Sequence, residues 1–380
     1  MIYLDNAATT LPKPKSVKKA ISAALRQSGG AGRGGHAAAA RAADILYEAR
    51  ETAAELFRMR DPERVIFTPN CTHALNIAIK SLAVRGGRVV TSGFEHNAVV
   101  RPLFRLSQEI GVKVDVLPTP LFEPETAVQL FDMALQGDVS LVVCTHVSNV
   151  FGYILPIERI WELCKRRGVP MIVDAAQSAG SLPINGDAGP YYCMPGHKGL
   201  YGPQGTGLLL CPPPIGSGSG VLRSLVEGGT GVSSIDPAMP NFYPERLEAG
   251  TPNAHSVAGL NAGMRFVIRR ELASPGVTPY KALLARLERS LSAIWGVKTY
   301  TAGNLFCQSG VISFTVEGHD PESVGARLAA QNIAVRAGLH CAPHAHRTAG
   351  TLPGGTVRAS LGAFNTAGDV GKLAAAVRRL

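Results

Sequence analysis

The chain has 380 residues, 46% of them hydrophobic and 17% charged. That suits a soluble globular protein and exceeds the roughly 250–300 residues that one hydrophobic core serves, so two domains are expected. The formal net charge of +10 is scattered over short runs ("KPKSVKK", "CKRRG", "VIRRE"), a pattern of solvated helix faces rather than of a nucleic-acid footprint.

The N-terminal "MIYLDNAATT" has no basic leader region and carries Asp5 in its only short apolar run, which argues against a signal peptide. No stretch approaches the ~20 apolar residues of a membrane span. Seven cysteines without a CxxC or a regular spacing do not make a disulfide framework. Reduced thiols, mostly buried as small apolar residues, and a cytoplasmic location are the expectation.

From residue 64 to 211, β-rich runs alternate with stretches of helical periodicity. "RVIFTP" precedes "CTHALNIAIKSLAV", "GRVVTSG" precedes "NAVVRPLFRLSQEI", and "VKVDVLP" precedes "EPETAVQLFDMAL". "SLVVCTHVS" precedes "IERIWELCKRRG", and "VPMIVDA" and "GTGLLLC" follow. Apolar strands joined by crossover helices predict an α/β domain with a mostly parallel sheet. "CPPPIGSGSG" (211–220) reads as a surface loop. After about residue 264 the texture changes: "YKALLARLERSLSAIW", then "GVISFTVEG" and "NIAVRAG" flanking "PESVGARLAAQ", then "AGDVGKLAAAVRRL". This predicts a smaller α+β domain, and no internal repeat is apparent.

In open α/β sheets, ligands sit beyond the carboxyl ends of the strands. "TPNCTH" runs from a strand into a helix start, a ready anion site near Thr72. "VSN" puts Asn149 at a second strand end, and "MIVDAAQS" puts Asp174 and Gln177 at a third. An aspartate there serves either a cofactor or metal, or simply caps a helix. "PGHKGLYGPQGTG" carries Lys198 among glycines but lacks the GxxxxGK[ST] of a P-loop. It is either a surface turn or the site of a Schiff-base lysine, which pyridoxal phosphate enzymes need together with an acid and a phosphate cradle. "GLHCAPHAHR" places Cys341 among His340, His344 and His346; a metal site, a reactive thiol and a polar loop are all compatible with that spacing.

"YLDNAATT", "EHNAVV", "HVSNVFG", "VDAAQS", "GHKGLYGPQGTG", "EAGTPN", "RAGLHCAP" and "VRASLGAFNT" occur in one order across nearly the whole chain. In this it resembles the cysteine desulfurase family, pyridoxal-phosphate enzymes of aminotransferase class V and fold type I. The resemblance implies a large cofactor-binding domain over 14–263 and a small domain of 1–13 and 264–380 that carries the cysteine loop. It implies that Lys198 holds the cofactor and acts as the base at the substrate α-carbon. Asp174 faces the pyridine nitrogen, Gln177 the phenolic oxygen, and His96 stacks on the ring and moves protons for the substrate thiol. Thr72 and His197 hold the phosphate, and Thr251 reaches the phosphate of the other subunit, which implies a homodimer with shared active sites. Arg358 grips the substrate carboxylate; Asn149, Arg336 and His36 lie near it.

Two departures from the family pattern stand out. Pro195 replaces a hydroxyl residue that contacts phosphate, and "NC" precedes Thr72 where small hydroxyl residues are expected. Under the resemblance Cys341 is the nucleophile that takes sulfur from L-cysteine as a persulfide and hands it to an acceptor, with L-alanine released. A thiolate tied to zinc cannot attack sulfur freely, so no metal is expected here. The short loop from Cys341 to Arg358 is similar to group II members, the SUF-type and selenocysteine-lyase-like enzymes. It implies slow turnover without a partner protein or reductant. A selenocysteine lyase, another class V aminotransferase or lyase, and a non-catalytic scaffold in sulfur transfer are the alternatives.

Overall fold

The structure, a computed structural model, describes residues 1–32, 34–213, 222–273 and 280–380. Most of the loop expected at 211–220 therefore lies outside the described residues. The chain begins with β1 (Ile2–Tyr3), α1 (Lys15–Gln27) and α2 (Ala37–Phe57). The alternating region follows as β2 (Val65–Thr68), α3 (Cys71–Leu82), β3 (Arg88–Thr91), α4 (Asn97–Ile110), β4 (Lys113–Val116), α5 (Pro124–Ala134), β5 (Leu141–Thr145), α6 (Ile157–Arg166) and β6 (Met171–Asp174). Two more strands, β7 (Tyr191–Pro195) and β8 (Gly207–Leu210), complete a seven-stranded sheet of order β2-β8-β7-β6-β5-β3-β4.

That sheet is parallel from β7 through β6, β5 and β3 to β4, and antiparallel only where β8 pairs with β7 and β2. This is the mostly parallel sheet expected from the alternation. Every residue of β5, β6 and β8 is buried, as a strand covered on both faces must be. Local chemistry places the helix starts at the strand ends. Asn70 caps α3 by accepting from the His73 N–H, and His96 caps α4 by accepting from Ala98. Gly111, at φ 70°, ends α4 in the left-handed conformation.

The long α7 (Ala254–Ala273) leads to α8 (Lys281–Ser292), β9 (Val297–Tyr300), β10 (Val311–Val316), α9 (Pro321–Ala330), β11 (Ile333–Ala334), β12 (Arg336–Gly338), α10 (Pro343–Thr348), β13 (Thr356–Ser360) and α11 (Ala367–Val377). β12-β13-β10-β9 form a four-stranded antiparallel sheet. Its core unites Leu4 with Leu284, Leu287, Ile312, Phe314, Leu328, Val357 and Leu373. β1 pairs in parallel with β11. The N-terminal segment is thus laid on the elements that follow residue 280, although its next residues turn toward the seven-stranded sheet. Among the described residues no helix is long and apolar enough to cross a membrane.

Candidate active site

The carboxyl ends of β2, β5, β6 and β7 open on a cleft lined by Thr72, His96, Asn149, Asp174, Gln177, Pro195, His197 and Lys198. Lys198 and Gln177 also line an adjoining cavity that reaches Ala7, Thr10 and Tyr201. Lys198 follows β7 at a tight crossing of chains: a Cβ on Gly199 would collide with the Ala179 carbonyl oxygen, and one on Gly180 with that of Gly199. The glycines let the backbone close on itself there and hold the lysine at the cleft. Burial lowers the Lys198 pKa, with Asp174 opposing and Arg358 and Arg336 adding to the fall. Its neutral amine is therefore more accessible than an exposed lysine's.

Asp174, buried at the end of β6, accepts from the Ala176 N–H at 2.9 Å and from the Cys71 thiol at 3.5 Å. This gives the unexpected "NC" a role: Asn70 caps α3, and Cys71 steadies the aspartate. Burial first, then Asp174, pushes the Cys71 thiol well up, so it is a neutral donor. Gln177 donates to the Ala7 carbonyl at 2.9 Å. His96 is held below its usual pKa by burial. Because its Nδ1 accepts from Ala98 at 3.0 Å, its neutral ring carries the proton on Nε2.

The segment after β1 straps across this region. Thr9 Oγ1 lies 3.0 Å from His197 Nδ1. The His197 carbonyl accepts from the Thr10 N–H at 3.1 Å and from Lys13 Nζ at 2.8 Å. Burial, then Lys198 and Lys13, lowers His197 to about 4, and burial lowers Lys13 to about 8. The same strap carries Asp5, whose carboxylate pairs with Arg358 Nη2 at 2.9 Å and with Arg336 Nη2 at 2.9 Å. Arg358 is 2% exposed, and its Nη1 donates to the Asn149 carbonyl at 2.9 Å.

Cys341 is exposed on the loop between β12 and α10, close enough to Arg336 for their charges to interact. The loop carbonyls are tethered: Asn149 Nδ2 donates to that of His340, and the Asn97 N–H to that of Cys341, each at 2.8 Å. The neighbouring histidines turn inward. His340 Nε2 donates to the Thr356 carbonyl at 3.1 Å, and His346 Nδ1 lies 2.7 Å from Thr351 Oγ1. Burial lowers His340 to about 2 and His346 to about 4. Both are neutral struts under the loop, while His344 is half-buried.

The cleft therefore gathers Lys198, Asp174, Gln177, His96, Thr72, His197 and Asn149, with Arg358 and Arg336 held beside it through Asp5. Two candidate residues lie elsewhere on this chain. His36 is exposed and caps α2 by accepting from Ala39, and Thr251 is exposed. Local pattern does not single out Asp5, Thr9 and Lys13, and it shows Cys71 only as half of the unexpected "NC" before Thr72. The repeated polar residues of "YLDNAATTLPK" are the only hint at Asp5, Thr9 and Lys13.

An amine, a carboxylate whose charge acts on it, and the start of a twelve-residue helix in one cleft fit pyridoxal 5'-phosphate. The N–H groups of Cys71 and Thr72 have no intrahelical partner and suit a phosphate, while Pro195 lines the cleft without offering a donor.

The aminotransferase class-V family model matches residues 2–373. A probable cysteine desulfurase of Methanothermobacter thermautotrophicus is 32% identical over 97% of this chain and 92% of its own length. A probable cysteine desulfurase of Mycolicibacterium paratuberculosis is also 32% identical over the whole of this chain, which spans 55% of that relative's length. Among solved structures, the apo cysteine desulfurase of Thermococcus onnurineus superposes with a TM-score of 0.87 at 31% identity, covering 99% of this chain and 94% of its own. The chain belongs to the aminotransferase class-V family, on its cysteine desulfurase branch.

Proposed function

We propose that the protein is a pyridoxal 5'-phosphate-dependent cysteine desulfurase that converts L-cysteine to L-alanine and holds the sulfur as a persulfide on Cys341. The observation that carries this reading is the meeting of Lys198, Asp174 and the start of α3 in one cleft, beside an exposed thiol on a tethered loop. When bound, the cofactor supplies an electron sink for negative charge at the substrate α-carbon. Asp174 would face the ring nitrogen and favour its positive charge, and the first N–H groups of α3 with Thr72 and His197 would hold the phosphate. Lys198 Nζ, its pKa lowered by burial, takes the α-proton. His96, through Nε2, would exchange a proton with the substrate sulfur.

The Cys341 thiolate then attacks that sulfur. An S–S bond forms, the substrate's Cβ–S bond breaks with its electron pair staying on the carbon skeleton, and the skeleton leaves as alanine once protonated. The finer elements of the reading are a sulfur-acceptor protein, a homodimer in which Thr251 reaches the other subunit, a large domain over 14–263 with a small domain of 1–13 and 264–380, and a cytoplasmic setting that suits seven unpaired cysteines.

Purified protein incubated with L-cysteine and a reductant should release alanine and sulfide in equal amounts. Lys198→Ala should lose at least about a thousandfold of both, and Cys341→Ala should lose persulfide and sulfide. Full activity in Lys198→Ala would sink the assignment.

A further inference from the structure

Arg336 and Arg358 face one another as Cα partners across the antiparallel β12–β13 pair. Like charges directly opposite in a sheet repel, and one of these two, Arg358, is 2% exposed. The arrangement holds because Asp5 reaches between them. Its carboxylate takes Arg358 Nη2 at 2.9 Å, Arg336 Nη2 at 2.9 Å and Arg336 Nε at 3.1 Å. The Asp5 backbone is itself fixed: Asp5 bridges to Ser360, and the Ser360 N–H donates to the Leu4 carbonyl at 2.7 Å. One carboxylate against two guanidiniums leaves one net positive charge.

The free donors are equally defined. Arg358 Nη1 and Nη2 are taken by Asn149 and Asp5, while its Nε is buried without a partner. The Arg336 side chain remains 51% exposed.

We propose that Asp5 is the positioning residue of the substrate-carboxylate site: it cancels one of two apposed arginine charges and orients both guanidiniums, so that the remaining charge receives the carboxylate of an α-amino acid. The assignment rests on the function proposed above and deepens it, since it makes carboxylate recognition a property of Asp5, Arg336 and Arg358 together. Without Asp5 the arginines repel, and Arg358 is left as a buried cation with one partner fewer.

The test compares L-cysteine with cysteamine, which has the amine and thiol but no carboxylate, on the pyridoxal-phosphate-loaded protein. In Asp5→Asn the KM for L-cysteine should rise at least about tenfold, with kcat within about threefold. Affinity for cysteamine, read from the cofactor absorbance on titration, should stay within about twofold. Adding Arg336→Gln, which removes the surplus charge, should recover part of the lost affinity for L-cysteine.

Should Asp5→Asn not yield folded protein, Arg336→Gln alone reads the same ratio, and it too should lower cysteine affinity and spare cysteamine. A cysteine-to-cysteamine ratio unchanged from wild type, or both ligands weakened alike, overturns the role of Asp5 while leaving the desulfurase reading intact. Wild-type protein that makes no alanine from L-cysteine overturns that reading, and the assignment of Asp5 with it.

Discussion

The backbone N–H of Asn97 donates to the carbonyl oxygen of Cys341 at 2.8 Å. The loop that bears the exposed thiol is thereby fastened to the first residue of α4, directly after His96. Asn149 Nδ2 fastens the preceding carbonyl, that of His340, at the same distance. Two consecutive loop carbonyls thus depend on donors from the ends of the parallel strands. The side-chain tether is the one that can be removed without touching the main chain. Losing a hydrogen bond of this kind costs about 1 kcal/mol, so Asn149→Ala should slow single-turnover persulfide formation on Cys341 about fivefold. Asn149→Asp, which cannot donate and sets a negative charge against a carbonyl, should fall at least as far. Mass measurement of Cys341 after mixing with one equivalent of L-cysteine reads both; wild-type rates in both would show that the tether is idle.

His340 and Cys341 adopt φ of 50° and 56°, two successive non-glycine residues in the left-handed region. That conformation costs an L-residue roughly 1–2 kcal/mol, while glycine adopts it freely. The loop therefore holds strain where the thiol is presented. Cys341→Gly and Cys341→Ala should both lack persulfide, but the glycine variant should be the more stable of the two by about 1 kcal/mol. Parallel urea titrations decide the matter, and equal midpoints would mean that the positive φ stores no strain.

Much of this architecture is legible in local pattern, and the exceptions have physical causes. Asp174, Gln177 and Thr72 stand at strand ends or a helix start, where alternation locates them, while Lys198 is marked by its glycine-rich surroundings. β7 is not legible: "YYCMP" is five residues ending in proline beside a glycine-rich turn, too short and mixed to announce a buried strand. Asp5 is invisible for another reason. Its partner Arg336 lies 331 residues away, and nothing in "YLDNAATT" indicates that the strap returns to β12 and β13. The histidines of "GLHCAPHAHR" suggest ligands or thiol tuners by composition, yet two of them are buried neutral struts. Burial, which decides their chemistry, belongs to the fold and not to the motif.

Glu248, in the "LEAGTPN" segment, forms a part-buried bidentate pair with the buried Arg50 of α2, at 2.9 and 2.5 Å, and accepts from the Phe67 N–H of β2 at 2.6 Å. Arg50 also donates to the Val65 carbonyl and lies over the Phe67 ring. One carboxylate thus joins a helix, an edge strand and the segment leading to Thr251. Burial raises the Glu248 pKa, with Arg50 as the chief opposing influence. Removing one partner of such a pair leaves an uncompensated buried charge, so Glu248→Ala should cost about 3–5 kcal/mol of stability. Glu248→Gln, which keeps the acceptor, should cost less. Denaturant titration at neutral pH measures both, and a loss under about 1 kcal/mol in the alanine variant would mean the site relaxes around Arg50.

Acid sensitivity follows from the histidines that the fold buries uncharged. Burial lowers His146 to about 4, His346 to about 4 and His340 to about 2, against an unfolded value near 6.5. Each is depressed, so below about pH 6.5 the unfolded chain binds protons that the folded chain refuses, and stability is lost as pH falls toward 4. Each contributes a slope of up to about 1.4 kcal/mol per pH unit in that window. Glu95 acts in the opposite sense. Burial raises it to about 8, so its contribution is complete below about pH 4.5 and is lost as pH rises through 8. With His197, also lowered to about 4, these histidines outweigh Glu95 and Glu248, which burial raises, between pH 4.5 and 6.5, and the protein should destabilise on acidification. Replacing His146, whose shift has burial as its sole cause, by Gln should flatten the dependence by about one proton. Unfolding free energies at pH 7, 6 and 5 test this, and parallel curves for wild type and His146→Gln would show that His146 is not held neutral.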